Sequence, residues 1–268
     1  MNIDRYDWRD FMIPYIFLGL GALSLGMFLF KRDKKSSIVA IALKALTSLF
    51  FLLTALFSLY ENIGNNPIDN SKLLALIFMI LGLIFGMVGD ILLDFKIYFK
   101  TLNMRFLCLE NDYDILMITG MSSFGIGHMF YILALMVYTR VEWMYLIFSI
   151  LGATLFMSFI FIISIKVMKM DFRKFFIPSI LYGILLASFV FLSIFKISFS
   201  YTKANLFILI GSILFIFSDL VLSITYFSKK EDYEKKGFMN PESRFMIIMN
   251  HITYYAAQFL IAIAILFL

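Results

Sequence analysis

The fold class this sequence predicts is all-α: a polytopic transmembrane bundle of eight helices. Three observations carry that reading. The hydrophobic fraction is 62% and the charged fraction 15%, with a mean hydropathy of +0.92, whereas soluble domains are nearer half apolar and a quarter charged. The apolar residues fall into eight long runs, each about the ~20 residues needed to cross ~30 Å of hydrocarbon. Finally, the alternation of a membrane β-strand is absent, so helices are the remaining way to satisfy the backbone inside lipid.

The runs are taken in order. Helix 1 covers about 12–30 and follows Asp4, Arg5, Asp7, Arg9 and Asp10. That mixture is not the basic leader of a cleavable signal, so helix 1 is expected to be retained. Helix 2, about 38–59, carries Lys44. Helix 3, about 73–93, closes on Gly89-Asp90. Helix 4, about 115–138, carries His128. Helices 5 and 6, about 143–165 and 174–195, are plain apolar runs. Helix 7, about 204–227, contains Ser218-Asp219, and helix 8, about 245–268, contains His251. No Pro/Ser-rich linker divides the chain, which reads as one membrane domain over 1–268. The longest polar segments, 94–114 and 228–244, follow helices 3 and 7 and read as loops.

Basic residues fall in alternate loops. Sixteen of the 23 Lys and Arg lie in 31–37, 94–114, 166–174 and 228–244; six lie on the other side, and Lys44 is inside helix 2. By the positive-inside rule, the odd-numbered loops face the cytoplasm and both termini face away. The net charge of +5 reflects this bias and gives no reason to expect a nucleic-acid partner; the bilayer is the expected one. Cys108 is the single cysteine, so no internal disulfide is available.

Chemistry concentrates in a few intramembrane polar groups. Such groups are costly in hydrocarbon and point to function. Gly89-Asp90 and Ser218-Asp219 are each followed, on the next apolar run, by His-x-x-Tyr: His128 to Tyr131, and His251 to Tyr254. These are the only two histidines. Asp90 and Asp219 are 129 residues apart and the histidines 123. Four helices separate each pair, so the expected relation is a parallel 4+4 repeat. At ~1.5 Å per residue, Lys44, Asp90, Asp219 and His251 fall within ~12 Å of the cytoplasmic boundary, and His128 falls nearer the middle. The expectation is a polar pocket in the inner half of the bilayer.

Two neighbouring buried carboxyls favour one proton-bearing acid and one anion, the division that acid/base catalysis uses. Asp90 and Asp219 are therefore the expected catalytic pair, against the plainer reading of structural partners for Lys44, a histidine or backbone amides. Asp219 lies eight residues in from its helix end and Asp90 three, so Asp219 is assigned the acid and Asp90 the anion. Asp94, nearer the boundary, is expected to be solvated. Lys44 can pair with a carboxylate, contact a phosphate or snorkel outward. His128 and His251 are candidate proton shuttles, carboxylate orienters or metal ligands. No two of these groups have ligand spacing on one helix, so a metal site is not expected. Tyr254 and Gln258 share a helix face with His251; with Tyr131 and Tyr255 they are candidates for substrate contact or interhelical packing. Ser218 beside Asp219 is not a nucleophile motif, since no GxSxG is present. Gly82 and Gly86, like Ser123 and Gly127, have the spacing of closely packed helices.

At these residues the chain resembles the lysoplasmalogenase (YhhN-like) family of eight-helix membrane proteins. The likeness rests on Lys44 early in helix 2 and Gly89-Asp90-x-x-Leu93 on helix 3. It continues through Gly120-x-x-x-Phe124-x-x-x-His128-x-x-Tyr131 on helix 4, Phe217-Ser218-Asp219 on helix 7 and Tyr254-Tyr255-x-Ala257-Gln258 on helix 8. The long segment 94–114 departs from the family pattern, which runs on quickly to helix 4. The resemblance implies hydrolysis of the vinyl ether bond of a lysophospholipid-type substrate, a lysoplasmalogen, to a fatty aldehyde and a glycerophospho-base, without a cofactor. Asp90 and Asp219 would be catalytic, with Lys44, His128, Tyr131, Ser218, His251, Tyr254, Tyr255 and Gln258 binding substrate or supporting them. Two other classes stay open on the residues themselves: a proton-coupled transporter, because intramembrane Asp and His also relay protons, and a metal-dependent lipid hydrolase. Head group, chain length and oligomeric state are not fixed by the sequence.

The charge asymmetry sets a topology test. Reporter fusions at both termini should read out from the non-cytoplasmic face; cytoplasmic signals from both would overturn the orientation and the depth argument with it.

Overall fold

A computed structural model describes residues 12–32, 37–65, 67, 69–101, 110–139, 142–234, 237 and 240–268. The described elements are α1 (Ile13–Lys31), α2 (Ile38–Asn65), α3 (Asn70–Thr101), α4 (Glu110–Thr139), α5 (Trp143–Lys166), α6 (Phe176–Phe199), α7 (Lys203–Phe227), the short α8 (Lys230–Glu234) and α9 (Arg244–Ala264). A 3₁₀ turn over Ile265–Phe267 ends the chain. No strand occurs among the described residues. All but α8 are long and apolar enough to span a membrane, and the chain is a multi-pass integral membrane protein. The acidic and basic residues before α1, Cys108 and the basic residues of the segments 33–36 and 96–109 lie outside the described side chains.

Local chemistry sets several ends. Pro14 sits in the first turn of α1, where its missing N–H costs nothing. Thr202 and Ser243 cap α7 and α9, each accepting a hydrogen bond from the backbone N–H three residues on, Asn205 at 3.1 Å and Met246 at 3.3 Å. Near the C-terminal end of α9, where a helix leaves carbonyls without intrahelical partners, the Asn62 amide of α2 donates to the carbonyls of Ile265 (2.9 Å) and Leu266 (3.2 Å).

Four helices outrun the hydropathy boundaries, α4 by beginning at Glu110 ahead of residue 115. α2 continues past residue 59 to Asn65, because Glu61 and Asn62 are buried on its inner face. α3 continues past residue 93 to Thr101, and α6 past 195 to Phe199. The expected loop 94–114 is thus largely helical at both its ends, and α8 forms inside the expected loop 228–244. Polar residues end an apolar run in a hydropathy reading, but they do not end a helix when they face inward.

α9 is the centre of the bundle. Buried residues make up 72% of its apolar stretch, against 17% for α5 and 22% for α1, which stand at the periphery. α9 packs on α2 and α7 and reaches α1 and α3. The neighbour order recurs after four helices: α1–α2, α2–α3 and α3–α4 in the first half, α5–α6, α6–α7 and α7–α9 in the second. The side chains at matching positions have different partners, as described below, and the repeat itself is not established by these neighbours.

α3 and α4 approach most closely. A Cβ on Gly127 would stand 3.0 Å from the Gly82 carbonyl oxygen, and one on Gly89 would stand 2.8 Å from the Phe124 ring. Ser123 closes the seam by donating to the Phe85 carbonyl at 2.7 Å. Small residues at the crossing let backbones touch where no hydrophobic drive exists between helices in lipid. Gly127→Val should therefore cost about 1–3 kcal/mol, the range for overpacking a tight core, read as a lower unfolding midpoint in detergent. An unchanged midpoint would mean the two backbones do not meet there.

Candidate functional site

Lys44, six residues into α2, points inward toward α3. Its ammonium lies 2.7 Å from Asp90 Oδ1 and donates to the Asp90 carbonyl at 3.3 Å. The second carboxylate oxygen of Asp90 accepts the Tyr255 hydroxyl from α9 at 2.6 Å and the Ser48 hydroxyl from α2 at 3.3 Å. Ser48 is one turn from Lys44, so both reach the same carboxylate. Asp90 is 6% exposed. A charge so enclosed persists only if paired and hydrogen-bonded, and Asp90 is both. Lys44 here is an ion-pair partner and does not snorkel.

Asp94, one turn further along α3, is 1% exposed. The expectation of a solvated residue is corrected: helix periodicity puts Asp94 on the face of Asp90, and α3 does not end before it. Its Oδ1 lies 3.7 Å from both Lys44 Nζ and Arg32 Nη2. Arg32, just past the end of α1, folds inward with 6% exposure.

Asp219 on α7 has a different setting. It is partly exposed, and its Oδ2 accepts a hydrogen bond from the Tyr182 hydroxyl of α6. No Lys or Arg lies within ion-pair distance of it among the described residues. Depth read from the hydropathy boundaries does not rank the two aspartates by enclosure: α3 runs on to Thr101, and Asp90 is the more enclosed because α2 and α9 cover it.

Two cavities adjoin at Asp219. One, of about 600 Å³ with its mouth, is lined by Arg32, Lys44, Asp90, Asp94, Asp219 and His251 among others; Ser218, Asn250 and Tyr254 are also in its wall. The other, about 770 Å³ with its mouth, is apolar and runs between α4, α5, α6 and α7 past Met117, Met157, Phe161 and Phe172. Leu93, Phe124, Asp219, Leu222 and Tyr226 line both, so Asp219 stands in the shared wall. One cavity gathers the charged groups, and the other is lined mainly by apolar side chains.

The remaining expected residues divide. His251 lines the polar cavity; its Nδ1 lies 2.7 Å from the Ile247 carbonyl, which makes Nδ1 the protonated nitrogen and leaves Nε2 as the acceptor. Ser218 donates to Asn250, at 2.8 Å to the side-chain oxygen and 3.0 Å to the carbonyl, and so ties α7 to α9. Tyr254 donates to the Gly86 carbonyl at 3.0 Å. Gln258 donates to the Tyr254 hydroxyl and accepts from Tyr131, both at 3.1 Å. This ladder binds α9 to α3 and α4, and neither Gln258 nor Tyr131 lines either of these two cavities. His128 also stands apart. It is 1% exposed, neither ring nitrogen has a hydrogen-bond partner among the described residues, and its neighbours are the rings of Phe215, Tyr131, Tyr182 and Phe189. Thus four of the five groups expected in one pocket line it, and His128 does not. Among the described residues, no three His, Cys, Asp or Glu side chains form a cluster able to hold a metal.

Arg32, Ser48, Tyr182 and Asn250 are site residues the sequence reading did not single out. Ser48 had a signal, its one-turn offset from Lys44. The other three had none in a single sequence: Arg32 reads as a loop cation, and Tyr182 is one of 14 tyrosines.

The ion pair makes its own test. Removing one partner of a buried pair leaves an uncompensated charge, which costs about 3–5 kcal/mol. Lys44→Met should destabilise by about that amount, measured by unfolding in detergent. Asp90→Asn added to Lys44→Met should recover a large part of it. A double variant no better than Lys44→Met would show that the two side chains are not coupled.

Neither a curated protein nor a solved structure matches the chain. A family model does: that of the YhhN family, over residues 39–265, from the start of α2 to the end of α9. Lys44, Asp90, His128, Asp219, His251 and Gln258 all lie inside it, and the chain belongs to the YhhN family, which includes lysoplasmalogenases.

Proposed function

We propose that this protein is a membrane ether hydrolase that cleaves the vinyl ether bond of lysoplasmalogens, releasing a fatty aldehyde and a glycerophospho-base. The observation that carries the reading is the position of Asp219 in the common wall of a charged cavity and an apolar one. A lysoplasmalogen has one long chain and one polar head, and its vinyl ether lies at the junction between them. With the chain between α4 and α7 and the head beside Lys44 and Arg32, the scissile bond falls at Asp219. Membership of a family that includes lysoplasmalogenases supports the same reaction.

The chemistry assigns work to both aspartates. Vinyl ethers cleave by proton donation to the outer vinyl carbon, which leaves an oxocarbenium ion. Asp219, with no Lys or Arg within ion-pair distance among the described residues, carries the proton; Tyr182 holds one of its oxygens, fixing the direction of donation. Asp90, held as an anion by Lys44 and Tyr255, sits across the polar cavity, where its charge favours the cation as it forms. Water adds to the oxocarbenium carbon and gives up a proton to a carboxylate, Asp90 in this assignment. The hemiacetal passes its hydroxyl proton to the departing glycerol oxygen and collapses to aldehyde and alcohol; Asp90 releases the proton it took from water, and Asp219 is reprotonated through solvent, which restores the starting state. Paired carboxylates divide the work similarly in glycoside cleavage.

The test is free-aldehyde release from lysoplasmenyl-ethanolamine by the purified protein. Asp219→Asn and Asp90→Asn should each lower turnover by at least ~10²-fold, the lower range for a positioned acid or base. If folded variants both kept near-full turnover, the aspartates would be structural, and a proton-coupled carrier would become the better reading.

A further inference from the structure

Among the described residues, Arg32 is the charged side chain of the polar cavity with donors to spare. Lys44 spends its protons on the Asp90 carboxylate, the Asp90 carbonyl and the approach to Asp94. Arg32 meets Asp94 through Nη2 alone, at 3.7 Å. Its Nε and Nη1 are buried and have no hydrogen-bond partner among the described residues, although the side chain is 5% exposed and stands in the cavity wall. A guanidinium has five N–H donors in a rigid fork, and leaving buried donors unpaired is costly. The fork matches the oxygens of a phosphate. Arg32 lies outside the matched residues 39–265, so nothing in the family match assigns it a role.

We infer that Arg32, oriented by Asp94 and backed by Lys44, forms an anion subsite that takes the phosphate of a single-chain phospholipid. The inference rests on the reading of a lysophospholipid-type substrate and adds the residue that recognises its head. The glycerol backbone would span the cavity from Asp219, where the chain begins, to Arg32. Recognition is of the phosphodiester shared by all such lipids, so ethanolamine and choline head groups should bind alike.

The test separates binding from turnover. The full-length protein in detergent is titrated with an uncleavable 1-alkyl-glycerophosphoethanolamine and with 1-alkyl-glycerol, and thermal stabilisation is read for wild type, Arg32→Gln and Arg32→Lys. The phosphorylated lipid should bind wild type at least ~10-fold more tightly than the neutral one, as expected for charge-assisted hydrogen bonds. Arg32→Gln should lose that preference, and Arg32→Lys should keep part of it. Unchanged binding of the neutral lipid shows that the variants are folded. If Arg32→Gln retains the full preference, the inference is overturned, whether or not the wild type cleaves lysoplasmalogens. If the preference depends on Arg32 and no vinyl ether is cleaved, the subsite stands and the proposed reaction falls. Inorganic phosphate distinguishes the source of the anion. Stabilisation by phosphate equal to that by the ether lipid would mean a free-anion site, and would overturn the lipid assignment.

Discussion

The ion pair between Lys44 and Asp90 is the interaction on which the rest of the architecture depends. Hydrocarbon offers nothing to solvate a charge, so an ammonium on α2 and a carboxylate on α3 must find each other and fill their remaining hydrogen-bonding capacity. Tyr255 completes the shell from α9 and Ser48 from α2. Three helices are thereby fixed in rotation about their own axes, because each has one residue that must face the pair. The same constraint extends α3. Asp94 faces inward toward Lys44 and Arg32, and α3 continues as helix beyond it.

The glycines of α3 serve this arrangement from the other side. Gly82, Gly86 and Gly89 lie on a face with no side chains of its own. A Cβ on Gly86 would stand 2.4 Å from the Gln258 amide, and one on Gly82 2.3 Å from the Tyr131 ring. The polar ladder Tyr131–Gln258–Tyr254 occupies the room they leave. Tyr254 ends it on the Gly86 carbonyl, so a residue with no side chain still contributes an acceptor. Packing and polar satisfaction are one device here: the missing Cβ atoms admit the ladder, and the ladder locks α9 against α3 and α4.

Much of this was legible in the sequence. Lipid-length apolar runs predict eight spans, and the structure has them. The cost of a charge in hydrocarbon singles out Lys44, Asp90 and Asp219, and all three line one cavity. What could not be read has physical reasons. Hydropathy scores a residue without knowing which way it faces, so inward Asp94, Glu61 and Asn62 looked like helix ends or solvent. Arg32 looked like topology, one basic residue among sixteen on that side, because nothing local shows a helix end folding into a cavity. Tyr182 lies on α6, an apolar run that carries no motif, and is placed beside Asp219 only by packing. His128 shows the opposite error: its residue type suggested chemistry, yet it stands among aromatic rings outside the cavity wall.

The two aspartates occupy matching words in the two halves of the chain and nevertheless end in unlike surroundings. Asp90 is clamped by a cation, a tyrosine and a serine; Asp219 has a tyrosine and an open side. Neighbour order alone would make the halves equivalent, so the difference comes from the side chains that neighbouring helices present: α2 brings Lys44 to Asp90, whereas α6 brings Tyr182 to Asp219. A vinyl ether hydrolase needs this inequality. Two clamped carboxylates would leave no proton to donate, and two unclamped ones would leave no fixed anion opposite the forming cation. In the proposed reaction the unclamped carboxyl must also stand where chain and head group meet. Asp219 satisfies both conditions through one fact of packing: among the described residues no Lys or Arg reaches its carboxyl, and it stands in the wall the two cavities share.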